Sequence, residues 1–539
     1  MPVHVEESHS ATTTTTRVPH GRRRLIAIVA IVLLATIVLA GVVASHKWPF
    51  THGAIIQALQ EQTGGDVQIG SFQQMYLPKP GCVAENVTFR HSGDKAGQPF
   101  LTIQRLKIVG TYHGLLTNHI ALIRADGLHV TVAPPPSSAA GTPGPFNVGR
   151  LTSGLTIGKV IADGAYIEFA PTPERKQALI FRIPKLVVHD LEDGKPLSFQ
   201  ASLQVPQPPI DLDAEGEFGP WNAGHGGESK ASGAYTLKSL DLGTFHDIGG
   251  IVTSKGNFDG TLQRITVHGT ADTPNFTVST SGHKIHIAGE FNATVNGLNG
   301  DVDVDALRVH YGRTTIVGAG SVESKGGQDG KTATFELASR QARVQDLLWM
   351  FISESKPPMT GPIAFRSTAT LPPGKAPFLN RVKLVGDFGI SNGQYPDPNT
   401  QKNIDVLSAR ARGQADKVED TNEKLGNDSY DPGQVLSNIK GHVVLSNAIA
   451  HLTDVSFEVP GALAKLSGTY KLTTEQVDLR GYMRLDSELS KATTGVKSVL
   501  LKVAKPFMKK GKHNASVVAI QIGGTYHNPT YAVVPKAEK

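Results

Sequence analysis

Residues Thr273–Val304 read TPNFTVSTSGHKIHIAGEFNATVNGLNGDVDV, and the spacing of their apolar side chains decides the fold class. Phe276 and Val278, Ile285 and Ile287, and Val302 and Val304 recur at every second residue. Thr277, Lys284, His286, Asp301 and Asp303 fill the intervening phase. Side chains alternate across a strand, so this pattern gives strands with one apolar and one wet face, the style of an antiparallel sheet. The same period continues outward, in Ile265 and Val267 on one side and Phe335 and Leu337 on the other. Gly, Asn, Asp and Pro break the runs at turn-forming positions. The longest breaks, Ala133 to Pro145 and Glu419 to Gly433, read as surface loops or linkers.

From Val67 onward the pattern predicts about 26 strands and few helices. Ile55, Ile56 and Leu59 sit at helical spacing within Gly53 to Thr63, and Gly64 and Gly65 stop that helix. A second helix is expected around Val344 to Ile352 and a basic one from Leu489 to Ala504. In the last, Leu489, Val496, Leu500 and Val503 share a stripe opposite Lys491 and Lys502, and Pro506 ends it. Such a helix would cap the sheet's end, rest on a membrane, or pack as an ordinary helix. Too few helices are available to cover one whole face of so large a sheet. Either a second sheet, giving a sandwich or barrel, or a ligand must do so. Stacked edge to edge at roughly 4.8 Å per strand, the runs would extend on the order of 120 Å. They keep no strict repeat length, so the runs give no ground for a regular solenoid.

The N-terminus carries a different signal. Leu25 to Ala44 reads LIAIVAIVLLATIVLAGVVA, uncharged throughout and long enough as a helix to cross a hydrocarbon core of roughly 30 Å. Arg17, Arg22, Arg23 and Arg24 precede it and only Lys47 follows closely, which places the N-terminus in the cytoplasm and exports the body. A cleaved signal peptide, with Val42 and Ala44 before the cut, is the competing reading; its apolar core would be unusually long. Residues 1–24, with the run Thr12 to Thr16, read as a disordered tail.

The rest of the composition mainly excludes. With 57 Gly against 6 Met, an all-helical fold is disfavoured. The formal charge of +6, from 53 basic and 47 acidic residues spread along the chain, makes a weak nucleic-acid footprint, and no nucleic-acid partner is expected. Cys82 is the single cysteine, so intrachain disulfides and cysteine metal clusters are impossible; it reads as a small buried apolar residue. KGGQDGKT, from Lys325 to Thr332, misses the first glycine of a phosphate-binding loop and lies between strand-like runs, so a hairpin loop is expected. Asp301, Asp303 and Asp305 mimic the start of a calcium loop, but Ala306 and Gly312 stand where Gly and Glu are needed. They read instead as the wet side of a strand. No HExxH, GxSxG or paired-cysteine motif occurs, so no catalytic, cofactor or metal residue is named and a non-enzymatic protein is expected.

Two regions carry a resemblance. In the first, Gly53 to Pro134, a short helix leads to GDVQIGSF, a Pro and Gly turn at Pro78 to Gly81, NVTF, and LTIQRLKIVGTYHGLLTNHIALIRADGLHVTV. In the second, VSFEVPGALAKLSGTYKLTTEQVDLRGYMRL is followed by the basic helix and VVAIQIGGTYHNPTYAV. Their order, with Thr273 to Val304 between them, resembles the AsmA-like family of Gram-negative envelope proteins. The resemblance implies a tail at 1–24, an inner-membrane helix at 25–44 and an N-terminal module at 45–135. An elongated periplasmic β domain at 136–435 and a C-terminal β region with a basic helix at 436–539 would follow. The implied fold is an open, curved, antiparallel sheet with a hydrophobic groove, related to bridge-like lipid transfer proteins. The implied partners are phospholipids, the inner membrane and outer-membrane or other envelope proteins. The implied role is lipid transport and outer-membrane homeostasis, or alternatively a scaffold for outer-membrane assembly that carries no lipid. No family residue is catalytic, and no cofactor is implied.

Overall fold

The computed structural model describes residues 50–63, 65–91, 99–132, 156–169, 179–192, 194–206, 209–220, 226–297, 300–324, 330–413, 435–486, 509–510, 516–525 and 528–533. The expected membrane segment 25–44, the two long loops and the basic helix 489–504 lie outside them. Among the described residues no helix is long and apolar enough to cross a membrane.

The β-rich expectation holds: one open, curved sheet of 25 strands forms the body. It begins with β1 (Gly65–Met75), β2 (Gly81–His91), β3 (Leu101–Gly110) and β4 (His119–Val132). Next come β5 (Thr156–Phe169), β6 (Leu179–Glu192), β7 (Leu197–Pro206), β8 (Pro209–Phe218) and β9 (Lys230–Asp241). The middle comprises β10 (Ile248–Gly249), β11 (Ile251–Thr261), β12 (Arg264–Val278), β13 (Ile285–Val295), β14 (Val302–Tyr311) and β15 (Thr314–Glu323). It continues with β16 (Thr332–Arg343), β17 (Pro362–Leu371) and β18 (Lys383–Gly393). The last strands are β19 (Ser437–Ser446), β20 (Ile449–Val459), β21 (Ala462–Lys471), β22 (Gln476–Leu485), β23 (Lys509–Lys510), β24 (Ser516–Gly524) and β25 (Pro529–Val533).

Apart from the two-residue β10 and β23, each strand pairs with the next in the chain, so the sheet is a meander built of local pairings. One joint departs from the antiparallel expectation: β4 and β5 run parallel. Parallel neighbours require a connection that returns the chain to the same end of the sheet, and residues 133–155 supply it. The KGGQDGKT region joins β15 to β16, which pair antiparallel from Glu323 opposite Thr332, as a hairpin requires.

Two helices stand where the apolar spacing placed them, α1 (His52–Thr63) and α3 (Val344–Phe351). Between them in the chain lies the short α2 (Tyr112–Leu116), and α4 (Phe378–Arg381) and α5 (Pro398–Ala411) follow, none anticipated. The missed signal for α5 is local. Asp397 accepts from the Thr400 N–H at 2.7 Å and its hydroxyl at 2.8 Å, and Pro398 occupies the first helical position. Those bonds hold the Asp397 carboxyl below its usual range, the backbone N–H of Thr400 contributing most. Ile404 and Leu407 then pack on Val459, Ala462 and Leu485.

Burial is uneven along the sheet. One continuous core joins Phe50 and the α1 residues Ile55 and Leu59 to the apolar faces of β1 through β9 and reaches Leu262 and Ile265 at the start of β12. Beyond it the cores are small and separate; α3 packs at one rim with Ile363 and Ile390, and α5 at the same rim farther along. Cys82 lies in the large core, fully buried, and burial pushes its thiol up to about 12. A disulfide reagent at pH 8 is therefore expected to leave the folded chain untouched and to modify it fully in guanidinium. Because the folded value exceeds the ordinary one near 9, the stability linked to this thiol is complete below pH 9. It falls as pH rises toward 12, by about 4 kcal/mol at most.

Candidate functional site

Residues opposite one another in a β-ladder point to the same face, so the register can be followed from strand to strand across the sheet. One such row starts Phe72, Ala84, Leu106, Ala125, Ala162, Leu186, Ala201, Ala214. It continues Tyr235, Gly256, Gly269, Phe291, Leu307, Gly318, Leu337, Ser367, Gly386, Val443, Leu452, Gly468, Leu479, Ile522. Apart from the hydroxyls of Tyr235 and Ser367, every member is apolar or glycine. The neighbouring row is as uniform: Ile108, Ile123, Val160, Val188, Phe199 and Gly216 lead to Gly233, Phe258, Val267, Ala293 and Val304. Gly320, Phe335, Ala369, Leu384, Leu445, Ala450 and Tyr470 complete it. Where a β-bulge intervenes, as between Val304 and Leu307, the extra residue is absorbed and both rows stay in phase.

The rows change character along their length. Leu106, Ala125, Ala162 and Leu186 are at most 1% exposed, sealed within the large core. From Ala214 onward most members are half-buried: Phe291, Leu307, Leu337, Leu452 and Leu479 keep part of their surface open, while Ala293, Ser367, Gly386 and Ala450 are buried. A strip of apolar side chains that is neither sealed nor solvated like a polar surface is the site's central feature.

Glycines shape its floor. A Cβ placed on Gly256 would lie 2.9 Å from Tyr235 Cε1, and one on Gly269 would meet the Tyr235 hydroxyl and lie 2.9 Å from Phe291 Cζ. The rings thus lie over bare backbone, which lets neighbouring strands fill the row without a ridge. Tyr235 is held there by a 3.0 Å hydrogen bond with the Ser254 hydroxyl, and burial raises its phenol above the usual range. Gly269→Ala is expected to displace the Tyr235 ring and lower stability by about 1–3 kcal/mol. Thermal unfolding measures the loss; an unchanged midpoint would mean the ring does not occupy that space.

The opposite face is ionic. Lys238 donates to Asp213 at 2.7 Å, holding that carboxyl below its usual range and raising its own. Glu290 and Arg308 pair at 3.3 Å, His286 and Asp272 at 2.5 Å, and His442 and Asp387 at 2.8 Å. A furrow of about 950 Å³ over β9 to β15 is lined both by charged and polar residues such as Lys255, Glu290, Arg308 and His268 and by the row members Tyr235, Gly256, Gly269, Phe291, Leu307 and Gly318. A smaller one of about 390 Å³ adjoins it, lined by Lys185, Ser202, Asp213 and Thr236 and by the row members Ala201, Ala214 and Tyr235.

The face assignments read from the spacing stand. Val304, Phe335 and Leu337 lie in the rows, Ile285 and Ile287 share their face nearer the α3 rim, and Lys284 and His286 are exposed. Asp303 and Asp305 are exposed on β14, as the wet-side reading has it. The row glycines have no side chain to mark them by spacing, although they fall in phase with the apolar positions, as in Gly256 before Phe258 and Gly269 after Val267. Comparisons of the chain with protein-family models, with curated proteins and with solved structures return no match.

Proposed function

We propose that this chain is a non-enzymatic envelope protein that holds phospholipid acyl chains along its half-open apolar rows and supports lipid movement between membranes. The observation that carries this reading is the continuity of those rows past the point where the core ends. A folded domain has no packing reason to keep an apolar row unbroken across strands β9 to β24 and then leave it half-covered. An acyl chain supplies the missing cover, gaining about 0.8 kcal/mol per buried methylene without requiring any specific polar partner. The rows carry no charged group and few polar ones, the hydroxyls of Tyr235, Ser367 and Tyr470, which fits a ligand that slides. The likeness to AsmA-like proteins in the first and last thirds of the sequence, and the apolar run Leu25 to Ala44, fit an inner-membrane anchor with the sheet in the periplasm.

In this reading the N-terminal rows are structural, since their own core fills them, and lipid occupies the sheet from β8 onward. Mass spectrometry of residues 45–539, purified without detergent, tests it: phospholipid should be retained in stoichiometric amount. A lipid-free but folded protein would favour the second reading, a scaffold for outer-membrane assembly. That alternative draws on the charged residues Lys255, Glu290 and Arg308 in the furrow over β9 to β15, which could pair with a protein partner.

A further inference from the structure

Most large apolar side chains exposed in this structure lie singly on strands or at helix ends, as Ile251, Val317, Val385 and Tyr482 do. One group does not. Tyr76, Leu77 and Tyr112 are 59, 82 and 52% exposed and sit together at one corner of the sheet. The Tyr112 hydroxyl donates to the Tyr76 carbonyl, and the Tyr76 hydroxyl donates to Gln74 Oε1 at 2.5 Å. Exposed Lys79 follows on the same turn, and exposed His113 follows Tyr112.

This corner is also where the described chain begins. Gln74 Nε2 donates to the Phe50 carbonyl at 2.7 Å, and the Phe50 ring packs against Gly110, one residue before the Thr111 that caps α2. Phe50 is six positions beyond Ala44, the last residue of the uncharged run, and six residues reach at most about 20 Å. Phe50, bonded to Gln74 beside this apolar, tyrosine-bearing, lysine-flanked patch, therefore lies within about 20 Å of the end of a segment long enough to span a bilayer. Leu buries an aliphatic side chain, tyrosine presents a ring with a polar tip, and lysine meets phosphate; these are the residue types that favour the headgroup layer.

We propose that the turn Tyr76 to Lys79, together with Tyr112, is an interfacial anchor that seats in the headgroup layer of the bilayer from which the chain emerges. The inference rests on the reading of residues 25–44 as a spanning helix. It fixes the orientation of the sheet: the closed N-terminal core stands on the membrane, and the half-open rows begin some seven strands away from it.

The full chain, with Cys82→Ala to remove the buried thiol, is reconstituted in 3:1 phosphatidylcholine–phosphatidylglycerol vesicles. An environment-sensitive fluorophore is attached at Leu77→Cys or, for comparison, at Asn447→Cys, an exposed position in the turn between β19 and β20. Emission at position 77 should shift to the blue and be quenched by lipids brominated on their acyl chains, and emission at position 447 should do neither. Alkaline extraction of the same vesicles separates the two readings. A chain retained at alkaline pH with a water-like label at position 77 overturns the anchor and leaves the spanning helix. A chain that is extracted, yet whose label was quenched beforehand, removes the spanning helix and supports the anchor. Extraction together with a water-like label overturns both.

Discussion

Leu337→Asp is expected to abolish phospholipid retention while leaving the chain folded. Leu337 stands between Gly318 and Ser367 in the half-open stretch, where its surface is shared between protein and the proposed acyl chain. A carboxylate there meets water when the row is empty, so the folded state loses only the partial burial of one leucine. With lipid bound, the same carboxylate would be sealed against hydrocarbon, at a cost of several kcal/mol that no nearby cation on that face offsets. Each 1.4 kcal/mol is a factor of ten in occupancy, so loss should be essentially complete. The neighbouring Glu336, exposed on the other face, is the control: Glu336→Gln should retain lipid in full. Phosphorus analysis of the purified proteins, with circular dichroism to verify folding, decides the outcome. Full lipid on a folded Leu337→Asp protein would show that the rows are not the binding surface.

Leu106→Ala is expected to cost about 2–5 kcal/mol of stability, because the side chain is fully buried and its neighbours Ala84 and Ala125 are too small to fill the space. Leu337→Ala, a member of the same row and the same chemical change, should cost only about 1 kcal/mol, since half-open surroundings leave less contact to lose. Urea unfolding of the two variants compares them directly. Equal losses would mean that the row is sealed throughout, and would remove the distinction between a structural beginning and an open continuation. Lipid retention should follow the opposite order, with Leu106→Ala affecting it only through unfolding.

The sequence by itself determined the strands and their two faces. Strand side chains alternate by covalent geometry, so Phe276 and Val278 or Ile285 and Ile287 identify a face before any partner strand is known, and turn residues between the runs favour pairing with the next strand. That is why strands of antiparallel style were legible as about 26 runs, against 25 strands among the described residues, and why α1, with its helical spacing of Ile55 and Leu59, was legible too; that the strands form one open sheet rather than a sandwich or barrel was not. Helix α5 was less so, because Asp397 and Pro398 announce a helix through two residues of capping chemistry rather than through a long apolar stripe. Register, the parallel joint of β4 with β5, and the alignment of Gly256 and Gly269 beneath Tyr235 are pair properties that a single run does not contain. Only the tertiary structure decided where the rows are sealed. Leu106 and Leu337 carry the same side chain in the same phase of a strand; one lies beneath the core that α1 and β1 to β9 close over it, and the other faces a stretch of sheet whose curvature leaves that side half-open. Burial depends on what the rest of the chain places above a residue, which alternation along one strand does not record.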